Sequence, residues 1–501
     1  MADTKREIER KYEAQDSGLP DLTGVTGVAA ILDQGVAHLD AIYYDTTDQR
    51  LAASSVTLRR RTGGSDAGWH LKFPVAPGIR DEIHAPLSDT LPDVLAGLVR
   101  SRVRDRALLP LIRLRSDRDV RHLVDADGRM LAEVSVDTVH AQRLTADGGE
   151  TQWTEIEVEL ADEGDPAFLD KVDKRLRKAG VRPSASASKL ARALTETAPP
   201  PPHTPGTTGD PVTAGDHVLA YVRTQRDTIV ELDAAVRRDI EDSVHRMRVA
   251  TRRLRATFTS FRTALDRAAT APVADELKWL AAELGLERDR EVLTDRLTAA
   301  LDEVPAPLLR GPVRERLHTW ARTERGGARA RLIGVLDSRR YLTLLDTLDV
   351  LLTDPPMREA AGRKPRKIIA KAVKKDFRKV SRLVERALEQ EPGTDRDVAV
   401  HEARKKTKRA RYAAEAAEPA LGKAAKALVN STKSLQTLLG EHQDSVMARQ
   451  ALRELSAVAH AAGEDTFTYG LLHEREEQRA ARVEAELPAC WDGIKHRAAH
   501  L

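Results

Sequence analysis

The stretch VHEARKKTKRARYAAE, Val400–Glu415, sets Arg404, Lys405, Lys406, Lys408, Arg409 and Arg411 along what reads as one helix. Like charges three or four residues apart on a helix repel by roughly 0.2–0.5 kcal/mol per pair, and few acids lie close enough to offset that. A charge run is ordinarily a solvated face. On a helical wheel, however, His401, Arg404, Lys408 and Arg411 cover one arc while Val400, Ala403, Thr407, Ala410 and Ala414 cover the next. The basic ridge therefore borders the packing face, where a solvated run would lie opposite it.

The same pattern occurs twice. VHRMRVATRRLRATF, Val244–Phe258, aligns with the first stretch so that His245 matches His401, Arg248 matches Arg404, Arg252 matches Lys408, Arg253 matches Arg409 and Arg255 matches Arg411. Each copy is followed by an echo, LGLERDREV at 284–292 and LGEHQDSVM at 439–447, sharing Leu-Gly and an Asp four residues after the glycine. A repeat of this length predicts two similar helical bundles facing each other, with the two ridges lining one groove. RKPRKIIAKAVKKDFRKVSR adds Lys367, Lys371, Lys374 and Arg378 on one face of a third helix.

The rest of the chain bounds what these ridges do. With 81 basic against 78 acidic side chains the net charge is only +3, so each ridge is a local feature. The single cysteine, Cys490, excludes a disulfide framework and suits a reducing compartment. MADTKREIERKYEAQ has no apolar core of a signal peptide, and no window reaches the ~18 apolar residues of a membrane span. A cytoplasmic protein without a membrane partner is expected. Nucleic acid is the default ligand of basic ridges, but base recognition uses aromatic platforms, and aromatic residues make up only 4% of the chain. A chain of phosphates without bases needs only charge and bidentate donors.

At this point the residues resemble a known family. The paired V-H-x-x-R-x-x-x-(R/K)-R-x-R helices, each followed by L-G-x-x-x-D, are similar to the CHAD domain, the conserved-histidine α-helical domain, over about residues 214–500. The resemblance implies two pseudo-symmetric helical bundles around a basic groove that binds long-chain inorganic polyphosphate, and association with polyphosphate granules. The matching positions are His245, Arg248, Arg252, Arg255, His401, Arg404, Lys408 and Arg411, with the third helix a further contributor.

Residues 197–213, TAPPPPHTPGTTGDPVT, read as a linker, since consecutive prolines favour an extended chain and the Thr/Gly run offers no packing face. The expected division is an α+β domain over 1–196 and an all-helical domain over 214–501. Before the linker, EIERKYE, SVTLRRR, WHLKF, RMLAEVSVD and WTEIEVEL alternate with period two between Gly/Asp turns. Alternation puts Glu7, Glu9 and Lys11 on one face of their strand, and likewise Arg59 with Arg61, His70 with Lys72, Arg80 with Glu82, Arg113 with Arg115, Glu133 with Asp137, and Glu155 with Glu157 and Glu159. A single strand of this kind exposes its polar face to water. So many strands interleaving charges of both signs with apolar residues suggest instead apolar faces packed outward on helices and charges lining a closed barrel. There, carboxylates from opposite walls can hold Mg²⁺ or Mn²⁺, and the cations can clamp phosphate. No Gly-rich P-loop or H-E-x-x-H motif competes.

E-x-E-x-K at the start, YYDTTDQRL, LRRR, the LK…R-D-E run, AEVSVD, EIEVEL and a late SKL together resemble the CYTH domain, also called the triphosphate tunnel metalloenzymes, over about residues 4–195. The resemblance implies an eight-stranded antiparallel tunnel with flanking helices that acts on triphosphates with a divalent metal. By motif match Glu7, Glu9 and Lys11 would be catalytic. Glu7, Glu9, Glu133, Glu155 and Glu157 would hold metal, and Lys11, Arg59, Arg61, Lys72, Arg113, Arg115 and Lys189 would bind the triphosphate. The reading is a metal-dependent hydrolase of inorganic tripolyphosphate or a related triphosphate, joined to a polyphosphate-binding domain. The alternatives are an adenylate cyclase or an organic triphosphate hydrolase, for example of thiamine triphosphate, using the same tunnel, or a non-catalytic polyphosphate-binding or granule-targeting protein.

Overall fold

A computed structural model describes residues 3–14, 18–145, 148–198 and 211–498, with the side chains of 3, 286–289, 322–326 and 497–498 outside the description. The chain divides into two compact units, Met1–Thr207 and Thr208–Leu501. Most of the expected linker, 199–210, lies outside the described residues. Among the described residues no helix is long and apolar enough to cross a membrane.

The first unit is a ring of antiparallel strands. Its strands are β1 (Asp3–Glu13), β2 (Ala30–Asp45), β3 (Thr57–Thr62), β4 (Gly68–Ala76), β5 (Ile79–Pro86), β6 (Leu109–Val124), β7 (Met130–Arg143), β8 (Glu150–Leu160) and the two-residue β9 (Arg182–Pro183). They pair in the order β5-β4-β3-β2-β6-β7-β8-β1-β9, and β1 also pairs with β5, which closes eight strands into a ring. Asp3–Ile8 of β1 lie beside β5, and Glu9–Glu13 lie beside β8. Among the described residues four helices accompany the ring: α1 (Arg50–Ala53), α2 (Asp93–Val103), α3 (Ala167–Lys178) and α4 (Lys189–Glu196).

Alternation is used as the sequence suggests, with the apolar face outward. Tyr12, Val134, Ile156 and Val158 pack on Phe168, Leu169, Val172 and Leu176 of α3. Asp45 of YYDTTDQRL is 2% exposed and accepts the backbone N–H groups of Thr46, Leu51 and Ala52 at 2.7–2.9 Å, tying the end of β2 to α1. That part of the motif is scaffold. The SKL triplet starts α4. The Ser188 hydroxyl caps the helix by accepting from the Ala191 N–H, Leu190 packs with Ala193 among inward-facing Tyr43, Leu114, Val139 and Trp153, and Lys189 is left to point along the ring. The helix thus fills one end of the barrel.

The second unit is all-helical: α5 (Ala214–Arg237), α6 (Ser243–Ser260), α7 (Arg267–Glu283), α8 (Leu286–Asp302), α9 (Val313–Asp337), α10 (Arg339–Thr353), α11 (Pro365–Glu389), α12 (Thr394–Leu421), α13 (Lys423–Ala461) and α14 (Phe467–Ala498). The repeat is visible in the packing. α5, α6, α7 with α8, and α9 follow one another as α11, α12, α13 and α14 do, with successive members in contact, and α6 packs on α12. In the first copy Leu284-Gly285 breaks the third member into two helices, whereas Leu439-Gly440 lie within the unbroken α13. Met247, Thr251, Leu254 and Phe258 are buried on α6, as are Val400, Ala403, Thr407, Ala410 and Ala414 on α12. The paired threonines tolerate burial because each hydroxyl donates to the carbonyl four residues back, Met247 and Ala403, at 2.8 and 2.9 Å. One apolar cluster, including Met247, Leu254, Ala413 and Leu428, spans both copies.

Candidate active site and anion groove

The ring encloses a cavity of about 790 Å³ whose walls carry Glu7, Glu9, Lys11, Arg59, Arg61, Lys72, Glu133, Glu157 and Lys189. Each acid meets a base. Lys72 lies 2.6 Å from Glu7 and 3.4 Å from Glu82. Lys11 bridges Glu157 and Glu9, the latter at 3.1 Å. Deepest, against α4, Lys189 stands 2.8 Å from Asp137, 2.9 Å from Glu155 and 2.5 Å from Glu157, and Arg118 reaches Asp137 and Glu157 at 2.7 Å each. The carboxylates of Asp137, Glu155 and Glu157 have oxygens within 4.8 Å of one another, hard donors of the kind a divalent cation takes.

The pairing shapes the ionisation. Burial pushes the Glu7 carboxyl up to about 7 against the pull of Lys72, and Glu82 shares its proton. Burial would also raise Glu9, but Lys11 outweighs it and holds that carboxyl below its usual range. Burial, opposed by Glu82 and reinforced by Arg59 and Arg61, drives His70 down to about 4, so it is neutral at pH 7. Buried Nε atoms of Arg59 and Arg61 have no hydrogen-bond partner among the protein atoms. Unmatched guanidinium donors buried in a cavity suit an anion.

Not every residue singled out in the sequence reaches the cavity. Arg113 and Arg115 share a face, as expected, but it is the outer one. Arg113 pairs with Asp40 at 2.5 Å, Arg115 stands 3.9 Å from the same carboxylate and is 61% exposed, while their neighbour Leu114 is buried inside. The inward positions of β6 continue from Leu114 to Arg118 and His122, and those two line the cavity. Glu155 sits beneath Lys189, and its Oε2 accepts from Trp153 Nε1 at 2.6 Å. Glu133 lies near His122, 3.4 Å away. The selection in the sequence also missed Lys5, Tyr43, Glu82 and Asp137. Glu82 and Asp137 were legible as inward positions by alternation, and Tyr43 declares itself only through the 3.1 Å hydrogen bond it accepts from Arg59.

In the helical unit the two ridges converge. Arg248 and Arg252 of α6 join Arg404 and Lys408 of α12, and among the described residues Asp444 of α13 is a carboxylate near Lys408. The glycine of the first Leu-Gly echo makes room for a ridge arginine, whereas the second lies at ordinary van der Waals distance from one. A Cβ at Gly285 would come within 2.8 Å of the Arg248 guanidinium, and one at Gly440 within 3.8 Å of Arg404 Nε. Asp444 stands 3.9 Å from Arg404, whereas the matching Asp289 lies outside the described side chains. The remaining candidates differ. Arg411 is held by Glu415 at 2.9 Å and stacks on Tyr412, His401 engages Gln443 through Nδ1, and His245 and Arg255 are exposed. Lys367, Lys371, Lys374 and Arg378 of α11 are exposed. Arg253 and Arg409, paired by the repeat, are structural anchors to Glu415 and Asp376 at 2.9 and 2.8 Å.

Residues 5–194 match the family model of the CYTH domain, and residues 220–453 match that of the CHAD domain. Over 500 residues the chain is 39% identical to an uncharacterized protein of Mycobacterium tuberculosis, covering 96% of this chain and 95% of that protein. Among solved structures, PptA from Streptomyces chartreusis is 21% identical, with a TM-score of 0.48, covering 56% of this chain and 99% of that one. The CHAD domain from the plant Ricinus communis is 22% identical, with a TM-score of 0.45, covering 60% and 97%.

Proposed function

From a chain that belongs to the family carrying a CYTH domain followed by a CHAD domain, we propose a divalent-metal-dependent hydrolase of inorganic tripolyphosphate or a closely related triphosphate, with a helical unit that holds long inorganic polyphosphate. The observation that carries the proposal is the lining of the tunnel, where carboxylates and cations alternate and are matched to one another. A metal–triphosphate complex satisfies both sets at once, cation to acid and phosphate to base. A tunnel built for the anion alone would need far fewer acids.

Glu7, Glu9 and Glu157 are the acids that would hold Mg²⁺ or Mn²⁺, with Asp137 and Glu155 behind Lys189 as further oxygen donors. The donor set fits, and Glu7 speaks for it directly. Its carboxylate form is disfavoured in the protein alone, and a neighbouring dication would favour it. When bound, the metal supplies Lewis-acid polarisation of phosphate oxygens and a more acidic water. Arg59 and Arg61 donate to phosphate oxygens through the guanidinium atoms that lack partners, and Lys72 and Lys11 exchange their carboxylate partners for phosphate. As water adds to the terminal phosphorus and the P–O bond to pyrophosphate breaks, these fixed cations stabilise the charge on the leaving oxygen. Arg248, Arg252, Arg404 and Lys408 form the polyphosphate-binding cluster of the second unit.

Phosphate release from tripolyphosphate, ATP, thiamine triphosphate and long polyphosphate with Mg²⁺ or Mn²⁺ tests the proposal. Release from tripolyphosphate that EDTA abolishes is expected. Release indifferent to EDTA, or conversion of ATP to cyclic AMP as the main reaction, overturns it.

A further inference from the structure

The cations of the tunnel are paired in two ways. Lys72, Lys11, Lys189 and Arg118 meet carboxylates that stand on strands of the ring. The side chains of Glu7, Glu9, Glu82 and Glu157 are only 6–12% exposed, packed into the wall. Arg61 is different. Its ion-pair partner among the described residues is Asp66, whose carboxylate meets the guanidinium from the turn GGSDA, 63–67, between β3 and β4. That carboxylate is 53% exposed, whereas the Arg61 side chain is buried. Asp66 lines the cavity beside Gly64 and Ser65.

The turn fixes the backbone of Asp66, while its carboxylate, half in water, can swing aside. Gly63 has a φ of 78° and lies so close to β2 that a Cβ there would clash with the His38 carbonyl oxygen. His70 Nε2 lies 2.9 Å from the Asp66 carbonyl oxygen, so that nitrogen carries the hydrogen and donates it. His70 is itself buried, and Glu82 stands 2.8 Å from its Nδ1. A pinned main chain thus holds a movable carboxylate at the place where a phosphate oxygen would meet Arg61. The carboxylate fills that place incompletely, since the buried Arg61 Nε has no hydrogen-bond partner among the protein atoms. A phosphate, with more oxygens, can take both donors.

We propose that Asp66 is a built-in competitor for Arg61. It stands in for phosphate in the empty tunnel, yields to the substrate, and reclaims the guanidinium after cleavage so that pyrophosphate and orthophosphate leave. The inference rests on the triphosphate reading of the tunnel. Displacing Asp66 penalises substrate and products alike, but the shorter products have fewer other cations to hold them. The sign of the effect separates this role from a structural one. A competitor weakens every phosphate ligand, so removing its charge tightens binding. A strut that only aims Arg61 does the reverse, because its loss lets the guanidinium drift and binding weakens.

The test is Asp66→Asn in the full chain, which keeps the size of the side chain and removes its charge. It is read by calorimetry with pyrophosphate and Mg²⁺ and by phosphate release from tripolyphosphate. Asp40→Asn, on the outer wall beside Arg113, removes the same charge outside the tunnel and serves as the control. Asp66→Asn is expected to bind pyrophosphate roughly five- to twenty-fold more tightly, the weight of one charge-assisted contact set free. Its KM for tripolyphosphate is expected to fall with kcat not raised, and Asp40→Asn to match the wild type in both. Pyrophosphate binding by Asp66→Asn that is weaker or no tighter than the wild type's, or an equal gain in Asp40→Asn, overturns the inference while leaving the triphosphate reading in place. A wild type that neither binds pyrophosphate nor releases phosphate from tripolyphosphate overturns that reading, and the inference with it.

Discussion

Both units gather cations, yet they treat them differently. In the tunnel Lys72, Lys11, Lys189 and Arg118 each touch one or more carboxylates. In the groove Arg248, Arg252, Arg404 and Lys408 lie close together, with Asp444 near them among the described residues. A matched lining is electrostatically quiet until a ligand brings both signs, so it selects a compact metal-bearing anion. A cluster of neighbouring cations attracts a polyanion at a strength set by salt. The two arrangements suit a site that reacts and a site that retains.

This contrast can be attacked at several points. The largest effect is expected at the bottom of the tunnel. Asp137, fully buried, is the shared partner of Arg118 and Lys189. Asp137→Ala removes one carboxylate from this buried network. It leaves Arg118 and Lys189 to share Glu155 and Glu157 with Lys11 and one buried positive charge uncompensated, and should cost about 3–5 kcal/mol of stability in denaturant unfolding. A loss below about 1 kcal/mol would mean that the network is not the matched one described. Next comes Glu7→Gln, which should lower phosphate release from tripolyphosphate at least ~100-fold, the size of effect that loss of one positioned electrostatic group produces. Its stability should change little at neutral pH, where a carboxyl with a pKa of about 7 is already half protonated. In the groove, Arg248→Ala with Arg252→Ala, or Arg404→Ala with Lys408→Ala, should each weaken long-polyphosphate binding by more than about 1 kcal/mol, and all four together should abolish it. Binding of single-stranded DNA as tight as that of polyphosphate would turn the groove into a nucleic-acid site. The smallest effect is expected on the outer wall. Arg113→Ala breaks a half-exposed pair with Asp40 and should cost no more than about 1 kcal/mol, with tripolyphosphate turnover unchanged.

That last variant marks where the sequence ceases to be legible. Period two states which residues share a face, and it grouped Glu7 with Glu9 and Arg59 with Arg61 as the tunnel does. It does not state which face is inside. In most strands the apolar set settles the matter by packing on a helix, as Ile156 and Val158 do on α3. β6 offers no such guide, because it carries arginines on both faces: Arg113 and Arg115 outside, Arg118 inside. What decided was α4, whose Leu190 sits among the inner residues of the barrel. Such a contact between distant segments leaves no mark in local pattern. The paired ridges were easier, since a repeat carries its own control. Even so, the repeat could not separate Arg404, which faces the groove, from Arg409, which anchors to Asp376. The face of α11 was the least legible. Four cations in register mark a surface, and only the packing of its neighbours tells which surface it is.

The closure of the ring by β1 carries a consequence for how the chain is made. The strand that bears Glu7 and Glu9 pairs through Asp3–Ile8 with β5 and through Glu9–Glu13 with β8, so that Glu9 lies opposite Glu159. During synthesis β1 emerges before both of these partners, and β8 comes only after six intervening strands. Until then one edge of β1 is open, the situation in which nascent strands join the wrong neighbour. The alternating glutamates and lysines make that edge a poor template for another chain, because stacking it on a copy of itself would set like charges against each other. The residues that serve the tunnel when it is finished also guard the strand while it waits.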